Sequence, residues 1–257
     1  MSTVRLTKQG RIGILTLAHP PANALSTRVI EDLSARFNEI ETDPSIKVVV
    51  IHGEGRFFSA GADIKEFTEV KDGAAFASLS EKGQRLFSRI EEFHKPVIAA
   101  IHGAALGGGL ELAMGCHIRI AETGTKLGLP ELQLGLIPGF AGTQRLPKLV
   151  GFPKATEMML TSEPISAEDA VRYGLVNCVA ESGKGLDEAL ALAEKIAEKS
   201  AVSVRHLMSC LNEARRGDFE QGMKKERTSF GEVFTSHDGQ EGIRAFIEKR
   251  KPQFIDE

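Results

Sequence analysis

The fold depends on residues 101–138, which begin IHGAALGGGLELAMGCH (101–117) and, after a short passage, end LGLPELQLGLIP (127–138). Residues 97–101 (VIAAI) have the composition of a buried strand, and three glycines at 107–109 stand directly before an apolar run. This order predicts a strand, a tight turn and the start of a helix. Glycines let the backbone approach a ligand closely, and the first turn of a helix offers unpaired N–H groups.

Two glutamates interrupt these apolar runs, Glu111 within LELAM and Glu131 within LPELQL. Carboxyl groups in apolar surroundings are candidates for general acid–base catalysis because burial shifts their pKa toward neutrality. The spacing alone leaves an alternative open, in which each glutamate begins a helix and points to solvent. The glycine run by itself is also an ordinary turn signal.

Composition restricts the class of protein. The chain has 257 residues, 42% of them hydrophobic, which suffices for one sizeable core or for a domain with an appendage. Its 32 basic and 35 acidic residues give a net charge of −3, so nucleic acid is not an expected partner. Three widely spaced cysteines without a C-x-x-C pair indicate neither a zinc site nor a disulfide framework. No membrane-length apolar run or signal peptide is evident, so we expect a cytoplasmic protein without a metal.

Periodicity predicts an α/β chain that becomes helical toward its end. A strand, a helix capped by Ser26 and a second strand indicate a right-handed crossover unit. The predicted strands cover residues 4–6, 12–17, 47–52, 97–101, 116–121 and 125–127, with a further strand ending at 179. The predicted helices cover 27–42, 74–93, 154–160, 186–199, 202–215, 219–234 and 240–248. We therefore predict an α/β core at 1–185 and a helical module at 186–257.

A second run of small residues, FFSAGADIK, covers residues 57–65. Such a run can expose its own N–H groups to a ligand, although a tightly packed loop is the more common explanation for such a run taken alone. The polar segment that follows, up to Lys71, is predicted to be a mobile lid over a site.

Five runs together resemble the enoyl-CoA hydratase/isomerase (crotonase) superfamily, in one unbroken order over essentially the whole chain. They are FSAGADIK (58–65), GAALGGGLELA (103–113), LGLPELQLGLIPG (127–139), GTQRLP (142–147) and FIEKRKPQF (246–254). The resemblance implies a spiral of ββα turns followed by a C-terminal helical trimerisation region.

The resemblance also implies a site for an acyl-CoA thioester. Backbone N–H groups of Ala62 and Gly108 would polarise the thioester carbonyl. Glu111 would hold and deprotonate a water molecule, Glu131 would give a proton to the α-carbon, and the N–H of Gly139 would help to hold the water. The reaction would convert a trans-2-enoyl-CoA reversibly into a 3-hydroxyacyl-CoA, and no cofactor is expected because coenzyme A is part of the substrate.

Other positions are implied to contact the substrate, some of them across a subunit interface. Apolar stripes on the final helices indicate an interface. The resemblance implies trimers, often paired into hexamers, in which these helices reach the neighbouring site. The implied contacts are Ala60, Asp63, Ile64 and Lys65 in the second run and Phe230, Phe246 and Lys249 near the C-terminus. The chain departs from many hydratases at Phe140-Ala141, where a phenyl group would narrow the acyl pocket.

Two other functions fit the same resemblance. A double-bond isomerase commonly needs only the carboxylate at Glu131, so the presence of Glu111 favours a hydratase. A non-catalytic RNA-binding member of the fold is disfavoured by the charge balance and by the intact pair of acids. His102, His117 and Cys116 are predicted to be structural, and Asp63 to brace its loop. The acyl chain and the pathway are not specified by the sequence.

Overall fold

The computed structural model describes residues 2–68, 70 and 72–257, and a six-stranded sheet runs through its centre. In spatial order its strands are β1 (Val4–Gln9), β2 (Ile12–Leu17), β3 (Val48–Gly53), β4 (Val97–Ile101), β6 (Ile118–Glu122) and β9 (Cys178–Ala180). The β1–β2 pair is antiparallel and the other neighbouring pairs are parallel.

A second, three-stranded sheet lies beside the first. It consists of β5 (Ala104–Leu106), β7 (Lys126–Gly128) and β8 (Ile165–Ser166), with β5 and β7 parallel and β8 antiparallel to β7. The chain passes from β4 to β5 through Gly103, where φ is +62° and an added Cβ would lie 2.1 Å from the carbonyl oxygen of Arg56. Glycine is therefore required at this turn. A strand in each sheet followed by a helix forms one ββα turn, which confirms the predicted fold class.

Helices cover the faces of the large sheet and form the C-terminal region. They are α1 (Thr27–Thr42), α2 (Ile64–Phe67), α3 (Gly73–Glu91), α4 (Gly108–Gly115), α5 (Gly142–Val150), α6 (Phe152–Thr161), α7 (Ala167–Arg172), α8 (Gly185–Ala197), α9 (Ala201–Arg216), α10 (Phe219–Thr235) and α11 (His237–Ile247). A 3₁₀ helix covers Glu131–Leu134. Ser26 caps α1, since its hydroxyl accepts a hydrogen bond from the Val29 N–H, as its sequence predicts.

The core lies on both faces of the sheet. Alternate residues of β3 point to opposite sides. Val49 packs with Phe37 of α1 on one side, and Val50 packs with Ala189 and Ala193 of α8 on the other. The first helix of the predicted 186–257 module thus lies against the strand core, and the division of the chain into two domains stays a prediction.

The predicted lid lies only partly within the described residues. Its residues Glu69 and Lys71 fall outside them. Its first residues, predicted to be irregular, belong instead to the short helix α2, because the Asp63 carboxylate accepts a hydrogen bond from the Lys65 N–H and caps the turn.

Apolar side chains remain exposed on α10 and α11. Phe230 is 75% exposed and Phe246 is 86% exposed. No described helix is both long and apolar enough to span a membrane. Within the same residues, no three His, Cys, Asp or Glu side chains are grouped so that they could hold a metal ion.

Candidate active site

One cavity of about 170 Å³ brings together most of the residues that the sequence singled out. It lies where α4, the 3₁₀ helix, the loop before α2, and the loop before α5 meet, with α3 forming one wall. The predicted residues that line it are Ala60, Ala62, Ile64, Gly108, Glu111, Glu131 and Gly139. These positions span 80 residues of sequence from 60 to 139, so their convergence is a property of the fold.

Glu111 lies inside the protein. Every residue of α4 is buried, and Glu111 is only 1% exposed. Its Oε1 accepts hydrogen bonds from the N–H groups of Phe140, at 2.8 Å, and Gly142, at 2.6 Å. Gly142 is the first residue of α5, so the positive end of that helix also faces the carboxylate. Both bonds end on Oε1, which leaves Oε2 available to a ligand.

The environment of Glu111 brings its ionisation close to neutral pH. Burial raises the pKa of Glu111 to about 7, and the nearby charge of Glu131 adds to this effect. The N–H groups of Gly142 and Phe140 and the charge of Arg145 act in the opposite direction. A carboxyl group with such a pKa can both accept and release a proton at neutral pH.

Glu131 begins the 3₁₀ helix and is partly buried. Burial raises its pKa as well. Its Oε2 is buried, and no described residue donates a hydrogen bond to it. An unpaired buried carboxylate oxygen costs free energy. Such an atom therefore commonly has a role in binding or catalysis. An added Cβ at Gly107 would lie 3.0 Å from Oε1 of Glu131, so the glycine run makes room for this second acid.

Two backbone N–H groups converge beside the acids. Leu25 forms a single bridge around Ala62, donating to the Gly61 carbonyl at 2.8 Å and accepting from the Asp63 N–H at 3.3 Å. The N–H of Ala62 between them has no acceptor among the described residues, and neither has the N–H of Gly108 at the start of α4. The Ala62 nitrogen lies 3.5 Å from the position that a Cβ on Gly108 would take. Two adjacent free donors are suited to hold a carbonyl oxygen that gains negative charge.

The walls of the cavity are largely apolar. Phe67 of α2 and Phe76 of α3 meet edge to face with ring centroids 4.7 Å apart, and both line the cavity. Phe140 lines it from the other side and packs edge to face on Phe87, at 5.4 Å. An added Cβ at Gly83 would lie 2.4 Å from the Phe140 ring, so α3 has a notch that receives this ring.

Sequence reasoning missed the two donors to Glu111. The Gly139 N–H, predicted to hold a water molecule, has no acceptor among the described residues, and the Gly139 carbonyl is bound by Ser80 and, at 2.9 Å, by Gln84. The N–H groups that reach Glu111 belong to Phe140 and Gly142 instead. A possible signal was the glycine at the start of GTQRLP, since an added Cβ at Gly142 would lie 2.8 Å from Oε1 of Glu111.

Several predicted contacts lie outside the cavity of their own chain. Lys65 is exposed on α2, and the Asp63 side chain caps that helix, so it braces its loop as predicted. Phe230, Phe246 and Lys249 are exposed in the C-terminal region. These three residues therefore contact a substrate only if that substrate is bound in the cavity of another copy of the chain.

The other candidate bases are structural. The His117 ring accepts a hydrogen bond from the Val97 N–H at 2.9 Å, and burial lowers its pKa to about 4. Burial raises the pKa of the Cys116 thiol to about 12. His102 faces the Gly55 carbonyl at 3.0 Å. None of the three lines the cavity.

This combination of fold and site defines an acid–base enzyme that acts beside a polarised carbonyl group. The model of the enoyl-CoA hydratase/isomerase family matches residues 7–257. The chain therefore belongs to the enoyl-CoA hydratase/isomerase family.

Individual relatives agree with this membership. A protein named "Probable enoyl-CoA hydratase" from Bacillus subtilis is 54% identical over 255 residues, with 99% of each chain covered. A "Short-chain-enoyl-CoA hydratase" from Clostridium acetobutylicum is 40% identical over 255 residues, covering 98% of this chain and 97% of that one. The solved structure of an enoyl-CoA hydratase from Bacillus anthracis has a TM-score of 0.94 at 34% identity, covering 99% of this chain and 100% of that chain.

Proposed function

We propose that this chain is an enoyl-CoA hydratase, a hydro-lyase that adds water reversibly across the 2,3-double bond of a trans-2-enoyl-CoA to give a 3-hydroxyacyl-CoA. The observation that carries the proposal is the presence of two carboxyl groups, Glu111 and Glu131, in one apolar-walled cavity beside two unpaired N–H groups. The full-length likeness to proteins named enoyl-CoA hydratase supports the same activity.

The geometry suggests a role for each group. The thioester oxygen accepts hydrogen bonds from the N–H groups of Ala62 and Gly108, which stabilise the negative charge that develops as the enolate forms. Glu111, through Oε2, holds a water molecule and takes one of its protons while the water oxygen attacks C3. Glu131 donates a proton to C2. The hydroxyl group of the water is thus added to C3 and a hydrogen to C2. Proton exchange between the two acids then returns to Glu131 the proton that Glu111 took from the water. The Gly139 N–H remains a proposed additional donor to that water.

In this mechanism coenzyme A enters as part of the substrate, and no separate cofactor or metal has a step. An isomerase acting through one carboxyl group has less need of Glu111. Here, however, Glu111 is held by two N–H donors and has a pKa of about 7, which suits a base that activates water. Hydration is accordingly favoured over isomerisation.

The test uses crotonyl-CoA and purified protein. Hydration removes the conjugated thioester, so its ultraviolet absorbance falls, and in ¹⁸O-labelled water the product gains one labelled oxygen. Absorbance that stays constant with crotonyl-CoA, together with conversion of a 3-enoyl-CoA into its 2-enoyl isomer, would show an isomerase instead.

We further propose that the preferred acyl chain is short. Phe140 is fixed between Phe87, Gly83 and Gly108, so its ring cannot swing aside to lengthen the cavity without moving α3. A relative named for short-chain enoyl-CoA hydration agrees with this. A panel of enoyl-CoA esters from four carbons to long chains should give the highest kcat/KM at the short end. A maximum at long chains would contradict the role of Phe140.

We also propose a homo-oligomer, either a trimer or a hexamer built from two trimers, located in the cytoplasm and serving fatty-acid metabolism. The exposed Phe230 and Phe246 support an interface, and the free cysteines suit a reducing compartment. Lys249 would approach a phosphate of coenzyme A bound to the neighbouring subunit.

A further inference from the structure

A buried arginine stands behind the loop that holds Glu111. Arg145 of α5 is only 7% exposed, and a guanidinium group is rarely buried unless it is paired. Its Nε donates to Oε2 of Glu91 on α3 at 3.0 Å, and its Nη2 forms an ion pair with the same oxygen at 2.9 Å. Nη2 also donates to Ser88 at 3.1 Å, and Nη1 donates to the carbonyl oxygen of Phe140 at 2.9 Å. Arg145 therefore fastens the loop before α5 to the end of α3.

The same loop residues contact Glu111 from their other side. Phe140 presents its carbonyl to Arg145 and its N–H to Oε1 of Glu111. Ala141, with φ of +72°, completes the bend, and its carbonyl accepts from the Arg145 N–H at 3.0 Å. Gly142 then gives the second N–H to Glu111. The side chain of Arg145 thus orients the two N–H groups that donate to Glu111, and it does so from the side of the loop opposite the carboxylate.

We propose that Arg145 is a positioning residue for Glu111. It sets the ionisation of this carboxyl group by holding the Phe140 and Gly142 N–H groups in place and by its own charge. Glu91 moderates that charge. The inference rests on the proposed function in one respect, since it takes Glu111 to be the group that activates water.

The charges around the two groups define the expected directions. Glu131 is the acid that faces Glu111 and disfavours its ionisation, whereas Arg145 favours it. Arg145 itself faces a polar cavity to which several elements contribute charged or titratable groups. These are Glu91 and Glu92 at the end of α3, Lys148 of α5, His117 and Arg119 at β6, and Arg215 and Arg216 of α9. Of the two acids, Glu91 alone contacts Arg145, so removing its charge should strengthen the field of Arg145 at Glu111.

Two substitutions should therefore move the ionisation of Glu111 in opposite directions. Arg145→Met removes the charge and releases the loop, and the acid limb of kcat/KM for crotonyl-CoA should move upward by about one pH unit. Activity at neutral pH should fall roughly tenfold and recover at alkaline pH, with KM little changed. Glu91→Gln keeps an acceptor for the guanidinium group but removes its negative charge, so the limb should move downward. Arg145→Lys, which keeps the charge without the fork, should lie between Arg145→Met and the wild type.

A second readout needs no substrate. The carboxyl infrared band of Glu111 is obtained as the difference between each protein and its Glu111→Gln derivative, and it is titrated in the free protein. Arg145→Met should shift this titration up and Glu91→Gln should shift it down. Arg216→Gln is the matched control, because it removes a cation from the same polar cavity that pairs with Glu92 and Glu213 rather than with Glu91. It should leave the titration in place.

The outcomes separate this inference from the proposed function. A Glu111 titration that Arg145→Met leaves unchanged, or shifts of the same sign in Arg145→Met and Glu91→Gln, would overturn the positioning role. Loss of activity at every pH without a shift would show that Arg145 serves the fold alone. Opposite infrared shifts in a protein that does not hydrate crotonyl-CoA would uphold the positioning role and refute the hydratase.

Discussion

At the scale of single residues, the two acids of the cavity differ in how the protein holds them. Glu111 has two N–H donors on one oxygen, which fixes its orientation while burial keeps its pKa high. Glu131 has a buried oxygen without a donor in the described part of the chain. The first arrangement suits a group that must hold a water molecule in one place. The second arrangement suits a group that donates its proton to a carbon atom.

Replacement of either acid by glutamine should abolish most hydration while preserving the fold. In Glu111→Gln the amide oxygen can still accept from Phe140 and Gly142, so the cavity keeps its shape. General acid–base terms are typically about 10²–10⁴ each, and kcat for crotonyl-CoA should fall by that factor in each variant. Circular dichroism and substrate-analogue binding serve as controls. Near wild-type hydration in Glu111→Gln would contradict its role as the base that activates water. Conversion of a 3-enoyl-CoA that depends on Glu131 alone would favour the isomerase.

The raised pKa of Glu111 also predicts how stability depends on pH. The folded pKa of about 7 lies above the ordinary value of 4.5, so the folded state binds the proton more tightly than the unfolded state. This contribution is fully present below about pH 4.5 and is lost as pH rises through about 7. Glu111→Gln lacks it. The free energy of unfolding of this variant should therefore rise relative to the wild type between pH 5 and pH 8, by on the order of 3 kcal/mol.

Urea unfolding of both proteins across this pH range measures the difference. Asp43 is a half-buried carboxylate that does not line the cavity, and hydrogen bonds from Lys8 and Ser45 lower its pKa. Asp43→Asn should therefore show no such upward trend above pH 5. A constant difference between the wild type and Glu111→Gln would mean that Glu111 ionises in the folded protein as it does in water.

At the scale of elements, α3 determines the position of Phe140. The ring fits the notch at Gly83, where a Cβ would come within 2.4 Å of it. Gly83→Ala should push the Phe140 ring toward Gly108, where the space between the ring and the backbone is already small. The resulting misplacement of the thioester should lower kcat/KM for crotonyl-CoA by about tenfold. The double variant Gly83→Ala with Phe140→Leu should recover part of this loss, because leucine leaves room for the new methyl group.

Gly73→Ala is the matched control on the same helix. A Cβ at Gly73 would meet no atom within 4 Å, so this change should leave kinetics intact. Equal losses in Gly73→Ala and Gly83→Ala would show a general effect on α3, and the notch would then have no part in substrate binding.

The sequence predicted those elements whose boundaries are set locally. The helix at 27–42 was recovered because Ser26 caps it and its apolar face repeats regularly through Val29, Leu33 and Phe37. By contrast, β5 was taken for part of a turn. Two of its three residues are alanine, which has a low strand propensity, and it is a strand because β7, some 20 residues later, supplies its partner. Strands that depend on such distant pairing carry little local signal.

The same distinction applies to the site. Glu111, Glu131, Ala62 and Gly108 lie in motifs with a recognisable local pattern, and the cavity contains all four. The donors Phe140 and Gly142 act through backbone N–H groups, which any residue type supplies. Arg145 acts on Glu111 through the carbonyl of Phe140, and it is itself held by Glu91, 54 residues away in sequence. Their contacts depend on how α3, α4 and α5 pack, and a single sequence does not specify this.

At the scale of the whole molecule, the C-terminal region is fastened to its own core at both ends. The helix α8 packs on the sheet through Ala189 and Ala193. The tail returns to the core, where Asp256 pairs with Lys47 at 2.6 Å and with Arg11 at 2.5 Å. The hairpin of α10 and α11 is thereby held with its apolar side chains facing outward, a geometry that suits contact with a second copy.

An assembly prediction follows from this exposed surface. Full-length protein should scatter light as a trimer or a hexamer. Phe246→Glu places a charge on a side chain that is 86% exposed in one chain and should be buried between copies, so it should give smaller species and reduced activity. Phe246→Leu, which keeps the apolar character, should remain assembled.

Lys249→Ala should keep the oligomer yet raise KM for the CoA ester several-fold, because Lys249 lies outside the cavity of its own chain and would act on the neighbouring one. A fully active monomer would contradict the interface, and an unchanged KM in Lys249→Ala would exclude the cross-subunit contact while leaving the oligomer intact.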